Sequence, residues 1–262
     1  MMSQFKTIRK NALDVLCGNR VVFHHVPKCG GTSVYRSLRL RYALSFSTFD
    51  IALIYRAVEK IHPEFDEEAV RDESVRIREI QLLCSMYNDV RCIAGHVPFS
   101  DAAFDEFRGQ YRFITTLREP ISLYISTFLW NVNASEDRWQ IQGSAEEFLE
   151  TPRARVFGEI YARFFSGLSM GSDESIGPMI ARAKENLAKF SAVGLTEDMA
   201  GFGRRLRDVL GIRISIGHEN KSRVTKFERE RMITPEIRRR IEELSAPNIE
   251  IYEFAKANLV AR

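Results

Sequence analysis

The chain has only four cysteines in 262 residues, Cys17, Cys29, Cys84 and Cys92. None are spaced Cys-x-x-Cys, and no paired histidines lie near them, so a zinc site and a disulfide framework are both excluded and all four read as free thiols. No apolar run is long enough to span a bilayer, and Met1 to Arg20 lacks the continuous apolar core of a signal peptide. Excess charge is also missing. With 38 Lys and Arg against 35 Asp and Glu, the net charge is +3, and composition demands no nucleic-acid partner. The basic clusters Arg204-Arg205-Leu206-Arg207 and Arg238-Arg239-Arg240 alternate with helix-type apolar residues, as solvated helix faces do. There is no repeat and no low-complexity tract.

At this length and with 45% hydrophobic residues, one sizeable core is affordable, and we read residues 1–262 as a single domain with helical elaborations. Short apolar runs read as strands at Val21 to Phe23, Asp89 to Ala94, Tyr111 to Leu117, Ser191 to Gly194 and Ile212 to Ile216. Helical patterns lie between them. Glu67 to Met86 reads as a charged helix with Val70, Val75, Ile77, Ile80 and Leu83 on its apolar side, and Thr196-Glu197-Asp198 as a helix start with acidic first turn. Leu38 to Tyr55 shows no clear period, Asn131 to Gly143 reads as a polar mobile loop, and Pro235 to Leu259 as two helices divided near Pro247-Asn248. Strands alternating with helices predict an α/β fold with a central parallel sheet flanked by helices in three layers. Ligands of such sheets bind beyond the strand carboxyl ends.

The most informative segment is Val21-Val-Phe-His-His-Val-Pro-Lys-Cys-Gly-Gly-Thr-Ser33. A strand, a glycine turn and hydroxyl residues opening a helix make a cradle for an oxyanion. Glycines let the backbone come close, and the helix N-terminus offers unpaired N–H groups and the positive end of its dipole. Thr32 and Ser33 add hydroxyls and Lys28 a full charge. The lysine precedes the glycines, whereas a nucleoside-triphosphate loop places it after them. A plain βα turn capped by Thr32 or Ser33 is the simpler alternative, and the Pro27-Lys28 pair argues against it.

Two further elements sit at predicted strand ends. Arg118-Glu-Pro closes the third strand, with Ser126 eight residues on, two helical turns along; a guanidinium fork plus a hydroxyl suits a terminal phosphate. Gly95-His96-Val97 closes the second, and His96 is a residue type suited to take a proton near neutral pH. His24, His25 and Glu119 are rivals for that role. Alternation along the strand points His24 and His25 to opposite faces.

The segment His-Val-Pro-Lys-x-Gly-Gly-Thr-Ser resembles the 5′-phosphosulfate loop of sulfotransferases that use 3′-phosphoadenosine 5′-phosphosulfate (PAPS), in the carbohydrate branch of the heparan sulfate 2-O-sulfotransferases. Cys29 stands where that branch often has threonine. Arg118-Glu-Pro with Ser126 resembles the 3′-phosphate signature, although Leu123 replaces a frequent second arginine. Gly95-His96-Val97 resembles the segment carrying the catalytic base, with Ala94 in place of a companion histidine. His218-Glu-Asn-Lys-Ser222, Val193 to Asp198 and Ile251 to Ala255 also look like this branch.

The resemblance implies a P-loop-like fold and a PAPS-dependent sulfuryl transfer to a hydroxylated acceptor, a glycan by family weighting, without a metal. Lys28, Cys29, Gly30, Gly31, Thr32 and Ser33 would hold the 5′-phosphosulfate, Arg118 and Ser126 the 3′-phosphate, and Asn220 and Lys221 the nucleotide. Lys28 and His96 would be catalytic. The branch's eukaryotic members carry a membrane anchor that this chain lacks, so a cytoplasmic, bacterial protein is expected. A nucleotide kinase, or a non-catalytic nucleotide- or glycan-binding protein on the same fold, are the alternatives. Arg138, Arg153, Arg155 and Arg163 are candidates either to meet an anionic glycan or to coat helices.

Overall fold

The computed structural model describes residues 18–136, 138–168, 175–214, 216–217 and 232–260. Five parallel strands form one sheet in the order β2-β3-β1-β4-β5: β1 Arg20–His24, β2 Phe46–Ser47, β3 Cys92–Gly95, β4 Tyr111–Leu117 and β5 Ala192–Leu195. The α/β class and the central parallel sheet agree with the sequence reading, and β4 coincides with the predicted strand. The run Ile212 to Ile216 forms no strand in its described part.

The pleat sorts the side chains of β1 between two cores. Val21 and Phe23 pack with Cys92, Ala94 and Ile114 under α1 (Gly31–Arg41) and a C-terminal helix, Met199–Leu210. Val22, Ile93, Phe113 and Val193 face the opposite layer. That layer contains α2 (Ile51–Ile61), α3 (Glu67–Tyr87), α4 (Asp101–Phe107) and further helices described below. The strands are buried on both faces, so they read as apolar runs without alternation.

After β4 come α5 (Pro120–Val132), α6 (Ala145–Leu149), α7 (Pro152–Gly158), α8 (Ile160–Phe165) and α9 (Ile176–Ala188). After β5, a 3-10 turn at Thr196–Asp198 leads into α10 (Met199–Leu210), and the chain ends in α11 (Pro235–Leu244) and α12 (Ala246–Asn258). The acidic helix start predicted at Thr196 is therefore this tight turn, and Asp198 caps α10 through Gly201 N. A third cluster, built on Tyr124, Phe128, Phe148, Ile237 and Ile241, ties α5 and α6 to α11.

The connection from β1 passes through α1 on one face toward β2. The connection from β4 leads through α8 and α9 on the other face toward β5. Adjacent strands β1 and β4 thus send their chains in opposite directions, which opens a crevice beyond their carboxyl ends. Lys28 follows β1 and Arg118 follows β4. Their convergence is a consequence of topology.

Three local readings change. The stretch with no clear period, Leu38 to Tyr55, contains β2 and the start of α2, whose N-cap Asp50 accepts from Leu53 N. On α3 the buried stripe is Val70, Ser74, Arg78, Leu82 and Met86, at four-residue intervals, while Ile80 is 51% exposed. A long, charged helix allows several nearly equivalent apolar stripes, and tertiary contacts select one that buries an arginine. The Asn131–Gly143 segment is pinned, not loose, in its described part: Ile141 is buried, and Arg153 donates to both Asn131 Oδ1 and Trp139 O.

His24 ends β1 inside an aromatic box of Phe99, Phe113 and Phe190, with Nδ1 donating to Val97 O at 2.9 Å. Burial pushes its pKa down to about 4, so it folds as the neutral imidazole. Because the folded form resists a proton that the unfolded chain accepts near pH 6.5, its stabilisation is full above that pH and is lost as pH falls toward 4. Urea unfolding at pH 7 and pH 5 checks this. We expect His24 to account for a loss of about 2 kcal/mol at pH 5, and His24→Phe to lose correspondingly less between the two pH values. An identical pH dependence in both proteins would refute it.

Candidate functional site

The segment His25 to Gly30 turns sharply after β1. Lys28 (φ 63°) and Gly30 (φ 68°) both occupy the left-handed region. Glycine does so freely; for lysine the conformation costs on the order of 1–2 kcal/mol. No side chain caps α1 and no acidic residue stands in its first turn, so nothing in that turn offsets the positive end of the helix. Gly31 is also needed for space, and Gly30 sits in a tight one. A Cβ on Gly31 would lie 2.0 Å from the His25 ring, and one on Gly30 would lie 3.1 Å from the Thr196 methyl. Thr196, whose hydroxyl donates to Leu117 O at 2.9 Å, thereby links the end of β4 to the turn.

Arg118 reaches across the crevice, and its Nη1 donates to Lys28 O at 3.1 Å. Tyr161 on α8 locks the arrangement. Its hydroxyl accepts from Arg118 N at 2.8 Å, donates to Arg118 O at 2.6 Å and lies 3.5 Å from Cys29 Sγ. Asn248 on α12 holds α8 in turn, accepting from Tyr161 N and donating to Phe157 O. Nothing in the sequence pattern singled out Tyr161, because its role is created by a contact 43 residues from Arg118.

The predicted cradle residues therefore gather, with differing parts. Gly30, Gly31, Thr32 and Ser33 form the turn and first turn of α1, Thr32 half-buried and Ser33 buried. The Cys29 side chain points away into the core, where burial pushes its thiol up to about 12, and its amide closes a turn onto Val26 O. Lys28 Nζ lies 5.6 Å from the ring centre of Trp130, which is 48% exposed on α5. Burial first, and then the neighbouring Arg118, lower the Lys28 pKa. Ser122, Ser126 and Trp130 follow at four-residue steps along α5, so Ser126 shares the helix face that Lys28 reaches. Asn220 and Lys221 lie outside the described residues.

His96 follows β3. Its Nδ1 donates to His25 O at 2.6 Å, which fixes the tautomer and leaves the Nε2 lone pair as the basic atom. Its ring centre is 4.4 Å from that of His25, and Arg78 Nη1 donates to the His96 carbonyl. Burial chiefly, with Arg78 adding to it, lowers the His96 pKa, so the ring is neutral near pH 7.

The rivals fare differently. His24 is spent in the aromatic box. Glu119 is the N-cap of α5 and accepts from Ile121 N and Ser122 N; although burial alone would raise its pKa, these bonds hold it low. A carboxylate so engaged is a poor base. His25 stays beside His96 over Gly31, its pKa driven well down by burial and by His96. Among the middle-region arginines, Arg138 pairs with Glu59 at 2.8 Å, Arg163 with Glu159 at 2.7 Å, and Arg153 serves the 131–139 segment. These three hold the fold together.

Two substitutions test the construction of the site. Tyr161→Phe strands the Arg118 amide and should cost about 1–3 kcal/mol, with faster amide exchange at residues 26–31 and 118. Unchanged stability and exchange would show the clamp to be idle. Lys28→Gly relieves the left-handed strain and should raise stability by about 1 kcal/mol in thermal or urea unfolding; destabilisation would contradict the strain.

Against models of known protein families and against curated proteins the chain has no match, so its function is read from this geometry.

Proposed function

We infer that the chain is a sulfotransferase that takes its sulfuryl group from PAPS and gives it to a hydroxyl. One observation carries the reading: Lys28 and Arg118, from the ends of adjacent strands, are joined by the Arg118–Lys28 carbonyl hydrogen bond at a helix N-terminus with no acidic residue in its first turn. Two cations and a row of amide donors at a glycine turn suit a nucleotide with phosphates at both ends. The resemblance of Pro27 to Ser33 and of Arg118 to Ser126 to the PAPS-binding segments gives the nucleotide its name.

In this reading the amides of Gly30 to Ser33 face the 5′-phosphosulfate, while Arg118 and Ser126 address the 3′-phosphate. Charge builds on the oxygen bridging sulfur and phosphorus as that S–O bond breaks, and Lys28 neutralises it. The acceptor oxygen attacks sulfur in line, a new S–O bond forms, and the acceptor proton passes to His96 Nε2. The other product is 3′-phosphoadenosine 5′-phosphate. The His25 carbonyl keeps the His96 ring oriented and favours the imidazolium that forms.

Calorimetry tests the nucleotide. 3′-Phosphoadenosine 5′-phosphate should bind much more tightly than AMP, and Arg118→Ala should erase most of that preference, at a cost of roughly 2–5 kcal/mol. Equal affinities in the wild type would remove the basis of the reading. For the proton, His96→Ala should keep its fold and nucleotide affinity while losing on the order of 10²–10⁴-fold in rate. The wild-type rate should fall on the acid side at a pH below 6.5, since the imidazole pKa is lowered, and the variant should lack that limb. Near-normal turnover in folded His96→Ala would move the role to His25.

A further inference from the structure

A cavity of about 380 Å³ opens beside His96, between the N-terminal half of α3 and the segment Val97–Ser100 that leaves β3. This lies within the usual size range of small-molecule sites, about 300–1,000 Å³. Its wall adjoins the candidate base along the chain and through α3. Val97 is the residue after His96, and Arg78, which grips the His96 carbonyl, stands on α3 between the lining residues Val75 and Glu79. The cavity therefore adjoins the carboxyl end of β3, which carries His96.

Among the described residues its lining combines an apolar wall, including Phe65, Val97 and Phe99, with the acidic residues Asp72, Glu73 and Glu79 and one arginine, Arg76. Glu79 accepts from Ser100 Oγ at 2.5 Å, Glu73 faces Arg76 at 3.7 Å, and Asp72 faces Arg71 at 3.8 Å. Behind Phe99, Lys189 is held by Asp101 at 3.6 Å, and Asp101 also binds Arg182. Carboxylates thus outnumber guanidinium groups on the wall, and Arg138, Arg153 and Arg163 are committed to internal partners. A uronate- or sulfate-bearing chain would meet carboxylates on this wall, like charge against like.

We propose that this cavity takes the hydroxyl acceptor, and that the acceptor is a sugar-like polyol that is uncharged or bears an ammonium group, not an anionic glycan. The proposal rests on the sulfotransferase reading for the word acceptor; the charge preference of the cavity stands on its own residues. An apolar wall suits the face of a pyranose ring, and carboxylates accept from its hydroxyls or its amine.

A charge series on one ring tests it. Binding of methyl glucosaminide, methyl N-acetylglucosaminide and methyl glucuronide would be followed by protein-observed NMR, with 3′-phosphoadenosine 5′-phosphate titrated into the same samples. Affinity should fall from cation to neutral to anion by about fivefold per step. The shifted resonances should include Val97 to Ser100. Glu73→Gln and Glu79→Gln, each and together, should flatten the series; Glu73, partly exposed, is the safer substitution for folding. Tightest binding of the glucuronide, a series unmoved by the substitutions, or no binding of any probe would overturn the proposal. If the series holds while the bisphosphate binds no better than AMP, the cavity stands and the donor assignment falls.

Discussion

Holding Lys28 and Arg118 together is the constraint around which this molecule is arranged. Two like charges at a partly buried helix N-terminus repel one another, and the lowered pKa of Lys28 registers both burial and that repulsion. The chain tolerates this because the backbone atoms around the charges are tied down. Arg118 bonds the Lys28 carbonyl, Tyr161 binds the Arg118 amide and carbonyl, and Thr196 holds the end of β4 against Gly30. A left-handed lysine adds strain to the same turn. An anion with charge at two places converts the repulsion into attraction, which is how such a site gains affinity without rearranging.

The proton side of the crevice obeys a different rule. His24, His25 and His96 sit within a few residues of strand ends, and burial lowers the pKa of each. Their hydrogen bonds separate their roles. His24 directs Nδ1 to Val97 O within an aromatic box, a structural use. His96 directs Nδ1 to His25 O and keeps Nε2 for other work, while the His25 ring supports it from 4.4 Å. Arg78 fixes the peptide of His96 from α3, so the helix that lines the neighbouring cavity also positions the base.

Much of this was legible because strand ends advertise themselves. An apolar run broken by Pro-Lys-x-Gly-Gly, by Gly-His-Val or by Arg-Glu-Pro marks both the end of a buried strand and the chemistry beyond it, and parallel topology gathers such ends at one edge. Glu119 stood among the rivals for the proton, and the folded chain spends its carboxylate on the N-cap of α5 ahead of Pro120, which accounts for its unsuitability as a base. Tyr161 and Asn248 were hidden, since their importance is made by contacts across the fold and not by any local pattern. Arg78 was hidden by competition: α3 offers several apolar stripes, and the one that packs carries the arginine. The committed partners of Arg138 and Arg163 are likewise visible only in three dimensions.

The central claim is that one nucleotide spans from the N-terminus of α1 to Arg118. A crystal structure with 3′-phosphoadenosine 5′-phosphate tests it most directly. The account predicts the 5′-phosphate against the amides of Gly30 to Ser33, with Lys28 turned from Trp130 toward it, and the 3′-phosphate on Arg118 and the Ser126 face of α5. A nucleotide bound elsewhere, or bound here with its 3′-phosphate away from Arg118, would contradict it.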